Sequence, residues 1–193
     1  VSFEKIELNN KNIYFPGVVG YKNIFNDSIL EFLSISKDIV WDEMKTGRQE
    51  ENPSINYRSR KGKNIGLNAL LHSLNFTNFK EKINQYSSEC LVDYSKSFGY
   101  WNLTEEGWVI LKYEEGDFFK LHTDSSRKYP RQVSSVYYLN NDYEGGELYF
   151  PFLNLTIKPE ASELIFFPST NLFSHEAKPV SKGVKYSMAN WYN

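Results

Sequence analysis

From Trp108 onward the sequence changes its hydrophobic period to two. Seven short runs rich in β-branched and aromatic residues follow one another: WVILKY, DFFKLHTD, QVSSVYYL, GELYFP, LTIKP, ELIFFP and VKYSMANWY. Between them stand the turn signals Glu-Gly-Asp, Asn-Asn-Asp, Glu-Gly-Gly, Lys-Pro-Glu and Ser-Lys-Gly. No long helical pattern separates the runs, which argues against a parallel sheet with crossover helices and predicts an antiparallel sandwich or barrel. The first hundred residues read as helical, with strand pieces between. Asn26-Asp27-Ser28 caps a helix carrying Ile29, Phe32, Leu33, Ile35, Ile39 and Val40, with Gly47 as its stop. A second helix runs from about Asn78 through Phe79, Ile83, Tyr86, Cys90, Leu91 and Tyr94 to Phe98, and ends at Gly99. The class is α+β, with N-terminal helices packed on one face of a jelly-roll-like barrel. The 193 residues suit a single domain, 1–193, with 1–107 as helical support and lid loop and 108–193 as the barrel core.

Composition narrows the function classes. The net charge is −2, so no basic surplus points to nucleic acid. No apolar stretch approaches the roughly 18 residues of a membrane span, and no membrane partner is expected. The single Cys90 permits no internal disulfide and fits a reducing compartment, so a soluble, cytoplasmic location is expected. Abundant Asn and Lys with few Arg suggest an AT-rich coding genome, hence a viral or bacterial source. The segment from Gly47 to Gly66 is polar, with Arg58, Arg60, Lys61 and Lys63 close together. It reads as a solvated surface loop or, more pointedly, as a mobile lid with Tyr57 and Arg58 as substrate contacts. His72 has no partner at ligand spacing.

Of only three histidines, two bear on a metal site. On a strand, residues i and i+2 project from the same face, so His122 and Asp124 can grip one ion together. His175 follows the strand ELIFFP and a short loop, near a strand end where a third ligand can converge. Two imidazoles and one carboxylate on one face of an octahedron suit non-haem Fe(II), although zinc accepts the same set. In the last run Lys185, Ser187, Ala189 and Trp191 share one face at period two. A lysine pointing into a small barrel is costly unless an anion meets it, and a dicarboxylate reaching from the metal supplies one; a solvent-exposed face is the other reading.

The stretch from Tyr113 to Trp191 resembles the 2-oxoglutarate- and Fe(II)-dependent oxygenases, specifically the prolyl 4-hydroxylase group. The pattern runs Tyr113, Gly116, Phe119, His122 and Asp124, then Tyr137-Tyr138-Leu139-Asn140 and Gly145-Gly146-Glu147 with Phe150-Pro151. It closes with Leu164-Ile165-Phe166-Phe167, His175-Glu176, Pro179-Val180, Gly183, Lys185 and Trp191.

The resemblance implies a double-stranded β-helix with His122, Asp124 and His175 as catalytic metal ligands. It implies that Lys185 pairs with the distal carboxylate of 2-oxoglutarate, assisted by Tyr138, with Tyr113 and Ser187 along the co-substrate pocket and Trp191 near the substrate. The implied cofactors are Fe(II), 2-oxoglutarate and O2, with ascorbate as support. The implied reaction hydroxylates a prolyl residue, at C4, in a peptide or protein and releases succinate and CO2. Two departures stand out: Lys185 replaces the arginine of the oxygen-sensing branch, and Phe119 replaces a usual tyrosine. The alternatives are the same chemistry on a non-prolyl residue, a small molecule or a nucleobase, or a non-oxygenase cupin-like metal-binding barrel.

Overall fold

The computed structural model describes residues 8, 10–22, 39–45, 56–69 and 77–193. The described N-terminal part opens with β1 (Lys11–Phe15), β2 (Val18–Tyr21), β3 (Asp42–Glu43), β4 (Arg60–Lys61) and β5 (Lys63–Gly66), followed by the helix α1 (Thr77–Phe98). Then come β6 (Val109–Tyr113), β7 (Phe118–His122), β8 (Val133–Tyr138), β9 (Glu144–Gly145), β10 (Leu148–Phe150) and β11 (Leu155–Ile157). The chain closes with β12 (Glu163–Pro168), β13 (His175–Ala177), β14 (Val180–Lys182) and β15 (Lys185–Tyr192). Among the described residues these strands form an eight-stranded sheet, β1-β2-β12-β8-β15-β6-β5-β3, a five-stranded sheet, β11-β10-β13-β7-β4, and the small β14-β9 pair. Their pairings are antiparallel.

The larger sheet is covered on both faces, and its sequence shows it. Every residue of the run ELIFFP is buried. Leu164 and Phe166 join Phe79, Ile83, Cys90 and Tyr94 of α1 in one core, whereas Ile165 and Phe167 meet Leu148 and Phe150 of the smaller sheet in another. Each such side chain contributes roughly 1.5–3 kcal/mol when fully buried. The result is three layers: helix, large sheet, small sheet. In β15 the same alternation sends Met188 and Tyr192 toward the helix side, leaving Lys185, Ser187, Ala189 and Trp191 to line a cavity between the sheets.

The helix predicted at Asn78–Phe98 is present as α1, with Phe79, Ile83, Cys90 and Tyr94 buried and Gly99 at φ +76° ending it. A positive φ there suits glycine, which has no Cβ to clash. The earlier predicted helix lies mostly outside the described residues, as do Gly47 and His72. Its Ile39 and Val40 are not helical: residues 39–45 hold no helix and contribute the strand β3 at Asp42–Glu43. The expectation of a loop over 47–66 is corrected at its second half, since β4 pairs with β7 and β5 pairs with β6. The first half of that loop, 47–55, lies outside the described residues.

Candidate metal and co-substrate site

β7 and β13 are neighbours, with His122 and His175 directly paired across them. The register then shifts, so that Ala177 meets Phe119, and the extra residue in β7 brings Phe119 and His122 to the same face. Phe119 accordingly stacks on the His122 ring, with centroids 3.6 Å apart. The two imidazoles lie 4.4 Å apart by ring centroid. Asp124 sits just beyond the end of β7, rather than on the strand as the i, i+2 argument assumed, yet its carboxylate reaches the same point. Its Oδ1 is 3.7 Å from His122 Nε2 and its Oδ2 is 3.7 Å from His175 Nε2. The three ligand atoms lie within 4.8 Å of one another, a spacing that suits a single ion.

Their neighbours prepare them for that. His122 Nδ1 stands 2.9 Å from the Lys120 carbonyl and His175 Nδ1 3.1 Å from the Phe173 carbonyl, so each ring donates from Nδ1 and keeps the Nε2 lone pair for an ion. Burial, reinforced by His175, pushes the His122 imidazole down to about 3, so it is neutral and ready to ligate at ordinary pH. Burial acts to raise the Asp124 carboxyl, but His175, His122 and the Ser134 hydroxyl outweigh it and hold the group ionised. Ser134 Oγ donates to Asp124 Oδ2 at 2.7 Å and itself lies 2.7 Å from Ser169 Oγ.

Lys185 occupies another part of the same cavity and is 3% exposed. Its Nζ donates to the Gly146 carbonyl at 2.6 Å and lies 5.2, 5.6 and 5.9 Å from the ring centroids of Tyr138, Tyr113 and Tyr143. Burial pushes its pKa down to about 7, with Glu147 pulling the other way without forming an ion pair. One carbonyl and three aromatic faces leave an ammonium short of a counter-charge, so an incoming anion is the missing partner. The donor set and this cation together fit a metal with a bound dicarboxylate.

Of the residues singled out in the sequence, His122, Asp124, His175, Lys185, Tyr138, Tyr113, Ser187 and Trp191 all line this cavity. Tyr57 and Arg58 do not; they lie in an exposed turn, Tyr57 at 56% exposure. Arg60, two residues on, lines the cavity instead. The sequence placed it in a charge run, and only the pairing of β4 with β7 turns it inward. Arg131 was also missed: its guanidinium lies 4.1 Å over Trp191 and reaches the Asp124 carbonyl at 3.4 Å.

A β-fold holding two histidines and an aspartate beside a buried lysine defines a class. Residues 108–193 match the family model of the 2OG-Fe(II) oxygenase superfamily. Among relatives, the chain is 35% identical over 89 residues to a PKHD-type hydroxylase of Synechococcus sp. (strain CC9902), covering 43% of this chain and 39% of that protein. It is 34% identical over 67 residues to human prolyl 3-hydroxylase 2, covering 32% of this chain and 10% of that protein. The chain thus spans less than half the length of these curated relatives. Among solved structures, the viral collagen prolyl hydroxylase of Paramecium Bursaria Chlorella virus-1, in its 2OG complex, superposes with a TM-score of 0.67 at 19% identity. That match covers 91% of this chain and 95% of the viral one. No helix among the described residues is long and apolar enough to cross a membrane.

Proposed function

We propose that this protein is a 2-oxoglutarate- and Fe(II)-dependent dioxygenase that hydroxylates a prolyl residue, at C4, in a peptide or protein. The observation that carries the reading is one cavity holding both a His-Asp-His cluster and a buried lysine short of an anion. A zinc or cupin-like barrel has no use for that lysine, whereas a dicarboxylate chelated at the metal does. Iron held by His122, Asp124 and His175 would supply the oxidation of an unactivated C–H bond, with 2-oxoglutarate and O2 converted to succinate, CO2 and the new hydroxyl.

The chain's own groups do the rest. Lys185 fixes the distal carboxylate, with the Tyr138 ring as its wall and Ser187 beside it on β15. Ser134 and the two backbone carbonyls hold the ligands in the tautomer and orientation a metal needs. Phe119, Leu148 and Ala177 line the cavity with apolar surface and limit the water there. Trp191, steadied by Arg131, offers a flat apolar face suited to a pyrrolidine ring. The similarity to prolyl hydroxylases supports a proline-containing peptide as substrate, and the double-stranded β-helix of those proteins as the fold. The prolyl 3-hydroxylase relative makes C3 the competing position.

The test incubates proline-containing peptides with the protein, Fe(II) and 2-oxoglutarate, with succinate and peptide mass followed together. The reading predicts succinate release and a mass gain of one oxygen on proline, both lost on chelation and in His122→Ala. Fragmentation and NMR of the product then assign C4 or C3. Succinate-free incubations throughout would sink the oxygenase assignment, and succinate without any modified proline would sink the prolyl one.

A further inference from the structure

Arg60 has an unusual setting for a guanidinium. It stands opposite Phe119 in the β4–β7 pairing and lies 4.2 Å from that ring's centroid, and Phe119 stacks in turn on His122. It therefore belongs to the part of the cavity where the three ligand atoms converge, whereas Lys185 lies among the Tyr138, Tyr113 and Tyr143 rings, so that Tyr113 reaches between the two cations. Its Nε points to the Met44 sulfur at 3.0 Å, a weak acceptor, and it donates a hydrogen bond to the Tyr113 hydroxyl. It forms no ion pair with any described carboxylate, although its neighbour Lys61 pairs with Asp117 at 3.0 Å. The segment that carries it is docked, with Lys120 N–H donating to the Ser59 carbonyl at 2.9 Å, so the side chain is presented from a fixed strand.

Two consequences follow from the donor count. A guanidinium has a fork of N–H donors, and those not spent on Tyr113 and Met44 face a cavity whose one acidic lining residue, Asp124, is turned to the two histidines and makes no ion pair with Arg60. The Tyr113 oxygen, accepting from Arg60, keeps its own proton to donate. Arg60 and Tyr113 thus present convergent donors beside the ligand cluster. We propose that Arg60 and Tyr113 form a second carboxylate-recognition point, which holds the α-oxo-acid end of 2-oxoglutarate beside the metal while Lys185 holds the other end. This rests on the reading of the cavity as a 2-oxoglutarate site. The backbone of a prolyl peptide would bring only neutral carbonyls to this spot, and a partly buried cation with no ion-pair partner among the described carboxylates is better matched by a carboxylate.

The test is calorimetric and needs no turnover. The full chain is loaded with Mn(II), and two probes are titrated: 2-oxoglutarate, and oxalate, which offers only the metal-side end. Arg60→Gln is expected to weaken both probes about 10- to 100-fold, the range for losing charge-assisted hydrogen bonds, with Mn(II) affinity unchanged. Arg60→Lys should recover only part of this, because a point charge lacks the fork that serves Tyr113 and a carboxylate together. Lys185→Met should weaken 2-oxoglutarate and leave oxalate alone. Tyr113→Phe combined with Arg60→Gln should cost less than the sum of the two single changes. Wild-type affinity for both probes in Arg60→Gln overturns the assignment and leaves the oxygenase reading intact. A parallel loss of Mn(II) affinity also overturns it, by placing Arg60 with the metal. A wild-type protein that binds no 2-oxoglutarate removes both.

Discussion

Lys185 is the residue on which the chemistry of this cavity turns. Replacing it with Met removes the cation while keeping the apolar stem, so 2-oxoglutarate affinity should fall about 10- to 100-fold with the fold intact. Calorimetry on the metal-loaded variant reads this directly. Its pKa gives a second expectation. In the folded protein burial holds it at about 7, far below the 10.5 of an ordinary exposed lysine. Between those values the unfolded chain binds a proton that the folded one does not, so this lysine makes stability rise with pH across that window. Binding a carboxylate requires the charged form, so above about pH 7 binding must first take up a proton. The affinity for 2-oxoglutarate should therefore drop as pH rises from 7, by up to about tenfold per unit, and Lys185→Met should abolish that slope. Ser134 offers a third prediction: Ser134→Ala frees Asp124 from its 2.7 Å bond and should weaken metal binding about tenfold or more, measurable by competition with a chelator.

At the scale of elements, α1 supports the large sheet without touching the metal ligands. Ile83 is fully buried in the helix–sheet core, and Ile83→Ala should destabilise the protein by about 2–5 kcal/mol. Thermal unfolding should shift accordingly while metal affinity in the folded protein stays the same. This helix was legible in the sequence because Phe79, Ile83, Cys90 and Tyr94 recur at helical spacing and Gly99 ends the run. The strands from Trp108 onward were legible for the matching reason, period two between turn signals. What was hidden were the short elements. β4 has two residues and β13 three, too few to show a period, and their existence depends on pairing with β7. Arg60 was missed with β4, because a cation in a polar run reads as solvated until a neighbouring strand captures it. The register shift in β7 that aligns Phe119 with His122 likewise has no local sequence signal.

For the whole molecule, the three layers explain how a chain with a buried lysine, a buried glutamate and a metal-ligand cluster remains folded. The helix–sheet core and the inter-sheet aromatic cluster around Phe150 and Phe167 supply the burial, and the cavity occupies the gap left between the sheets. The glutamate, Glu163, is satisfied by Tyr14 at 2.5 Å and by the Glu160 backbone N–H at 3.0 Å, so it needs no ligand, unlike Lys185. His122, His175 and Lys185 could be read from the sequence because strands carry them, while Asp124, just beyond β7, was found by a spacing argument that the structure meets with a bend instead of a strand. The cavity's second cation could not, because it arrives through the fold. The central claim, that this cavity activates O2 against a C–H bond at the expense of 2-oxoglutarate, is tested most directly with isotopic oxygen. Under 18O2, with Fe(II), 2-oxoglutarate and a proline peptide that turns over, the account predicts one 18O atom in the product hydroxyl and the other in succinate. A hydroxyl whose oxygen comes from water, or succinate free of label, would contradict it.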